Sequence, residues 1–380
     1  MKRHQWIGYA TAAWSLCYGL LGLYWALGGA GFPFGTGDPE LMAEPDFAFK
    51  VSLLGKATPE AAGPVIAVLG LLGAGAGVLM ARGWSRGPAR WLLPAFAWTM
   101  SVGLALVVQD YRTLIVVAYA PIMLVGKAFG LFEGSGWSDL LLVPRLNLLV
   151  CLLAGIAWAL TAVAYRRAVT GACTSCGRVA QAAVVGRGPV GAAKARAGSE
   201  GRADLLERIG RPATWVAFAI PLAYCVTRWA WALGFSLGID PEFYQEGRDS
   251  GLWLLGAALA TLGAVGSVLT LGLVQRWGEV FPRWMVGLRG RRVPPLLAVV
   301  PAILVAVLVA SAGGMYIRVV LARGGVTSST WPLELPETLW VLWGAALFVA
   351  AIAYHRRRRG ACRQCTPAPA ARSGDLARRG

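Results

Sequence analysis

Tyr165-Arg166-Arg167-Ala168-Val169-Thr170-Gly171-Ala172-Cys173-Thr174-Ser175-Cys176 and Tyr354-His355-Arg356-Arg357-Arg358-Arg359-Gly360-Ala361-Cys362-Arg363-Gln364-Cys365 are two copies of one signature. Each follows a long apolar run, adds a basic collar and ends in Gly-Ala-Cys-x-x-Cys. Working outward, further pairs appear in the same order. Tyr18 matches Tyr224, and Trp25-Ala26-Leu27-Gly28 matches Trp231-Ala232-Leu233-Gly234. Asp38-Pro39-Glu40-Leu41-Met42-Ala43-Glu44 matches Asp240-Pro241-Glu242-Phe243-Tyr244-Gln245-Glu246. Elements recurring in a fixed order mark an internal duplication.

What is duplicated is a membrane unit. The 380 residues are 57% hydrophobic and 14% charged, against about 45–50% and about 25% in ordinary soluble domains. A helix needs about 20 apolar residues to cross a bilayer. Runs of that kind lie at 6–28, 62–81, 91–109, 144–165, 213–236, 251–274, 295–314 and 337–355. Short loops and the lack of period-2 alternation argue against a membrane β-barrel. The expected fold is an all-α polytopic membrane protein with eight transmembrane helices as two parallel four-helix repeats. The expected divisions are a first repeat over 1–176, a flexible basic linker over 177–211, a second repeat over 212–365 and a disordered tail over 366–380. The basic start before the first run resembles a signal peptide, but that run has its counterpart in mid-chain, so it reads as a retained helix.

The net charge of +17 does not point to nucleic acid, because of where it sits. Lys and Arg gather at the N-terminus, in the 82–90 and 275–292 loops, over 166–212 and in the tail. The only acids there are Glu200, Asp204, Glu207, Glu279 and Asp375. Basic residues accumulate on cytoplasmic loops because they resist translocation. Both termini, the linker and both Cys-x-x-Cys tails are therefore placed in the cytoplasm of a multi-pass cell-membrane protein. The lipid bilayer is the expected partner, with anionic lipids as a further one at the cytoplasmic face.

Three features carry possible chemistry. Cys173, Cys176, Cys362 and Cys365 are two halves of a four-thiolate site, and Zn²⁺ takes four such ligands in structural sites. An even number of spans per half brings both tails to one face, where they can share one ion; adjacent arginines would favour the thiolate. The rival readings are a redox dithiol, although no thioredoxin-like βαβ pattern surrounds either pair, and unligated tails. Glu40 with Glu44, and Glu242 with Glu246, share a helix face if their segments are helical, and two such faces would suit a cation or basic substrate at the outer mouth. Asp and Pro ahead of them read equally as a helix start. Arg228 falls within a span, where an ionisable residue is costly and marks a functional site unless it snorkels to the headgroups. Its candidate partners are Asp110 and Glu242. After Gln109-Asp110-Tyr111-Arg112, the apolar run 113–124, broken by Pro121, reads as a re-entrant or interfacial segment extending to 131.

The Trp25-Ala26-Leu27-Gly28-Gly29 end of the first helix resembles that of uncharacterised multi-pass membrane proteins of high-G+C bacteria. The resemblance implies a membrane fold and carries no activity or site residues. No phosphate loop, His-Glu-x-x-His or Gly-x-Ser-x-Gly elbow is present, and the two histidines, His4 and His355, lie at the boundary. These absences weigh against most enzymes. The expected functions are a small-solute or ion transporter, or a substrate-binding membrane component, a structural or assembly protein with a metal clamp, and a membrane thiol oxidoreductase.

Overall fold

The computed structural model of the protein describes residues 3–43, 52–128, 142–173, 176–177, 188–283, 285, 287–358, 362 and 365. Among these residues there are helices and no strands. The helices are α1 (Arg3–Ala26), α2 (Pro39–Ala43), α3 (Pro59–Ala81), α4 (Ala89–Val102), α5 (Tyr111–Ala128) and α6 (Val143–Thr170), followed by α7 (Gly188–Ala232), α8 (Pro241–Asp249), α9 (Leu252–Leu271), α10 (Pro295–Ala322), α11 (Trp331–Thr338) and α12 (Trp340–Arg357). A π-helical turn, Gly103–Val107, extends α4.

Local chemistry sets several of the boundaries. Thr58 accepts from the Ala61 amide and Pro59 opens α3, the pairing of a hydroxyl N-cap with a proline that needs no N–H. Asp240 caps α8 through the amides of Glu242 and Phe243.

Seven helical segments are long and apolar enough to cross a membrane: Pro59–Ala81, Ala89–Val107, Val143–Thr170, Asp204–Ala232, Leu252–Leu271, Pro295–Ala322 and Trp331–Arg357. The eighth expected span, 6–28, does form a helix, α1, but is not one of the seven. Its Trp, Tyr, Gly, Ser and Thr residues dilute its aliphatic content.

The expected break at Pro121 is also absent, since α5 continues from Tyr111 to Ala128. One proline removes a single backbone hydrogen bond and crowds one carbonyl, a strain this helix absorbs. Residues 129–131, the end of the expected re-entrant stretch, lie outside the described residues. So do 178–187 of the expected linker and the 366–380 tail; from Gly188 onward the expected flexible linker is helical and forms the first part of α7.

In the first half α1 packs along α3 and against α6, and α4 packs against α6. In the second, α7 packs along α9 and against α12, and α10 packs against α12. The α1–α3 seam depends on missing side chains. A Cβ on Gly19 would sit 3.1 Å from the Gly70 Cα, and one on Gly22 would sit 2.9 Å from the Gly63 carbonyl oxygen. Close backbone approach of this kind is how helices associate where the solvent is itself apolar. The α7–α9 seam is built differently, with the Cys225 thiol donating to the Ala260 carbonyl at 3.0 Å. The halves meet where α10 lies against α5 and the π-helical turn, burying Ala105, Leu152 and Leu308 together.

Candidate metal centre

The two Cys-x-x-Cys tails come together. The four sulfurs lie within 4.8 Å of one another, with Cys173 Sγ to Cys362 Sγ at 3.9 Å and Cys176 Sγ to Cys365 Sγ at 3.5 Å. None of the four is in a disulfide. A tetrahedral Zn²⁺ with Zn–S bonds of about 2.3 Å places its sulfurs about 3.8 Å apart. The donor set therefore fits such an ion, with shifts of a few tenths of an ångström for these two pairs and of up to about 1 Å for the widest.

Each tail reaches this place by a helix stop and a tight turn. Gly171 closes α6 in the left-handed conformation, φ +65°, and the Ala172 amide donates back to Arg167 O at 2.9 Å. The Gly177 amide then donates to Cys173 O at 2.8 Å, and Gly177 is itself left-handed at φ +71°. A Cβ there would lie 3.2 Å from Arg167 Nε, so glycine satisfies both the backbone and the side chain packed over it. In the second copy the Cys365 amide donates to Cys362 O at 2.9 Å. Thr366, which follows it, lies outside the described residues.

The tyrosines that open the two signatures anchor both tails alike. Tyr165 donates to Trp84 O and Tyr354 to Gly278 O, each at 2.7 Å. The second collar adds Arg357 to Leu273 O at 2.6 Å, and Arg358 to Glu279 O and Val293 O at 3.1 and 3.0 Å. Arg357 and Arg358 are thus held on backbone carbonyls. Contrary to the expectation that they would favour thiolate, the Cys365 thiol is pushed up to about 12 by hydrogen bonding with Cys173 and Cys176. A bound dication would favour the thiolate form of its cysteine ligands.

The other expected site residues fall into two separate clusters. Arg112 donates from Nε and Nη2 to Asp110, with Nη2 to Oδ2 at 2.7 Å. Its Nη1 reaches Asp38 Oδ2 at 2.5 Å and Glu40 Oε2 at 3.4 Å. Arg145 closes on Glu40, with Nε to Oε2 at 3.0 Å and Nη2 to Oε1 at 2.5 Å. Asp38, Asp110 and Arg112 are buried. Burial pushes the Glu40 carboxyl up, but the Arg145 and Arg112 guanidiniums outweigh it and hold the group below its ordinary value. Glu242 and Glu246 stay exposed on α8, and Glu44 lies outside the described residues.

Arg228 points into the protein. Its Nη2 donates to Glu337 Oε1. Its Nη1 donates to Pro332 O at 3.0 Å and Thr227 Oγ1 at 3.2 Å. The guanidinium lies 4.4 Å from the ring centroids of both Tyr224 and Trp231, and Glu337 is fully buried. Neither expected partner is the one found. Asp110 is taken by Arg112, two residues along, and Glu242 faces outward. Glu337, on α11, was missed; the available signal was an acid opening the last apolar run. At the position of Arg228 in the first half stands Gly22, which is used instead for backbone contact with α3.

No family model, curated protein or solved structure matches the chain.

Proposed function

We propose that the protein is an integral membrane protein of eight spans, formed by duplication of a four-helix unit. Its halves are clamped on the cytoplasmic side by one zinc ion on Cys173, Cys176, Cys362 and Cys365, and it serves as a structural or assembly component of the membrane. The observation that carries this reading is the convergence of four sulfurs, two from each half, at the spacing of a tetrahedral thiolate site. Counting α1 as the eighth span puts an even number of crossings in each half, in keeping with tails that meet on one face. The basic collars argue for the cytoplasmic side, where they also suit anionic lipid headgroups.

When bound, the ion supplies the positive charge that lets four thiolates share one site. The chain's own contribution is to hold the tails ready through Gly171, Gly177, Tyr165 and Tyr354. Metal analysis of purified protein tests the reading. One zinc per chain is expected, lost when Cys173 and Cys362 are both replaced by Ser. Protein that is folded and metal-free, or a zinc content unchanged by the double substitution, contradicts it.

A second reading, a small-solute or ion transporter centred on Arg228, is favoured by that residue's inward pairing with Glu337. Snorkelling would have left the guanidinium at the surface. The outer carboxylates offer this reading less, because Asp110 and Glu40 are held by Arg112 and Arg145. Loss of transport in folded Arg228→Leu protein is its test. A thiol oxidoreductase is less favoured, since the nearest sulfurs of Cys173 and Cys176 include those of the other tail rather than standing apart as an isolated dithiol.

A further inference from the structure

The seam between α1 and α6 in the first half carries a column of polar side chains. Nearest the cysteines, Tyr165 donates to Trp84 O. One turn further along α6, the buried hydroxyls of Thr11 and Thr161 lie 3.0 Å apart. Ser15 and Trp158 follow, both 0% exposed. Beyond them Tyr18 donates to Asn147 Oδ1 at 2.8 Å, with the Cys151 thiol 3.6 Å from the same hydroxyl. Gln109 then donates to Leu148 O at 3.0 Å and accepts from Thr113 at 2.7 Å. Its neighbour Asp110 belongs to the ion cluster on Arg112. On α6 these residues recur at spacings that hold one helix face. From Asn147 to Tyr165 that face runs about 27 Å at about 1.5 Å per residue, close to the roughly 30 Å of a bilayer's hydrocarbon core.

The column is interrupted, and the interruptions fall at buried polar atoms. Ser15 Oγ, Trp158 Nε1 and Asn147 Nδ2 are buried and have no hydrogen-bond partner among the described residues. Ser15 and Trp158 converge. A Cβ on Gly73 would meet Ser15 Oγ at 3.0 Å and Trp158 Cζ2, two bonds from Nε1, at 3.2 Å. Buried polar groups without partners need a reason, and a buried water, which both donates and accepts, is the usual one.

The second half is built without this column. Counted from the matched tyrosines, the places of Thr11, Ser15, Trp158 and Thr161 are held by Ala217, Pro221, Leu347 and Ala350. Ala217, Leu347 and Ala350 share one buried apolar cluster. The repeat therefore packs without polar groups at these positions, and the first half keeps them for another reason. Polar residues facing the interior of a membrane bundle mark ion pathways and proton relays. Width decides between the two. Thr11 and Thr161 touch across the seam, which leaves no passage for a hydrated ion but lets a proton be handed on.

We propose that this column, completed by water held at Ser15, Trp158 and Asn147, conducts protons across the membrane through the first half. Each hydroxyl or water takes a proton on one side and releases one on the other, so nothing is consumed and one proton is moved. The zinc clamp has no part in it.

The test is proton flux into liposomes that hold the full chain and a trapped pH-sensitive dye, driven by a valinomycin-set potassium potential. Wild-type vesicles should acidify severalfold faster than protein-free ones, while sodium flux stays at the protein-free level. Ser15→Ala combined with Trp158→Phe withdraws both partners of one water; losing about one hydrogen bond's worth of occupancy should slow the flux about tenfold. Thr161→Val, nearly the same shape, breaks the column at another level and should slow it as well. Thr270→Val on α9 of the second half should conduct as wild type. Melting temperatures in detergent identify the variants that are folded. Wild-type flux no faster than that of protein-free vesicles would overturn the proposal. So would a folded Ser15→Ala/Trp158→Phe or Thr161→Val protein conducting at the wild-type rate, or sodium crossing as fast as protons.

Discussion

Removing Arg228 should cost more than removing Glu337, and removing both should cost least. In Arg228→Leu the fully buried Glu337 loses the donor to Oε1, while its Oε2 already has no partner. In soluble proteins, stripping one partner from a buried pair costs about 3–5 kcal/mol. In a bilayer the unfolded helices also find polar partners, and single interhelical hydrogen bonds average only about 0.6 kcal/mol. An isolated acid is nevertheless disfavoured by up to about 2.5–3.5 kcal/mol on insertion scales, the upper figure holding at a helix centre and less applying near the end of a span, where Glu337 lies. The charge term therefore dominates, and about 2–3 kcal/mol is expected. In Glu337→Leu, Arg228 keeps the Pro332 carbonyl and two aromatic faces. Desolvated cation–π contacts of about 2 kcal/mol hold the expected loss to about 1–2 kcal/mol. The double Leu variant presents an apolar pair and should return to within about 1 kcal/mol of wild type. Denaturant unfolding of all four proteins in one detergent gives the cycle. An Arg228→Leu variant as stable as wild type, or a double variant whose loss is the sum of the singles, would refute the reasoning.

The α1–α3 seam predicts opposite outcomes for one substitution at two places on one helix. Gly70→Ala forces backbone against backbone at Gly19 and should cost about 1–3 kcal/mol, whereas Gly75→Ala meets open space and should be neutral or slightly stabilising; thermal melts in detergent compare them. Glu40, held below its ordinary value of 4.5, gives a stability contribution present above that value and lost as pH falls through the lower folded one. Glu40→Gln should accordingly be less stable than wild type near pH 7 and converge with it in acid, as followed by melting temperature against pH. Gly177→Ala strains a left-handed residue under Arg167 and should weaken metal retention against a competing chelator more than Gly287→Ala, where the backbone is also left-handed but the space beside it is open.

Helix positions were legible because long apolar runs dominate the composition, and the meeting of four cysteines was legible because the same tail follows an apolar run twice. The hydropathy of α1 shows the limit of run counting. Its Trp, Tyr and Gly residues suit it to pack along α3, and the same residues lower its hydropathy. The continuity of α5 through Pro121 shows that one proline does not by itself end a helix. Ion-pair partners were the least legible part. Arg228 finds Glu337 109 positions away in sequence, and Arg145 finds Glu40 across 105; only the bundle's packing selects those acids over the nearer ones. Capping was read correctly for Asp240 and Asp38, each of which accepts from the amide two residues on. Nothing in the sequence disclosed that Asp38 would also bind Arg112.

X-ray absorption at the zinc edge of the purified, detergent-solubilised chain tests the central claim most directly. The account predicts one metal per chain with four sulfur neighbours at about 2.3 Å and none of the scattering characteristic of imidazole. A shell containing nitrogen or oxygen ligands, or only two sulfurs per metal, would mean that the two tails do not share one ion.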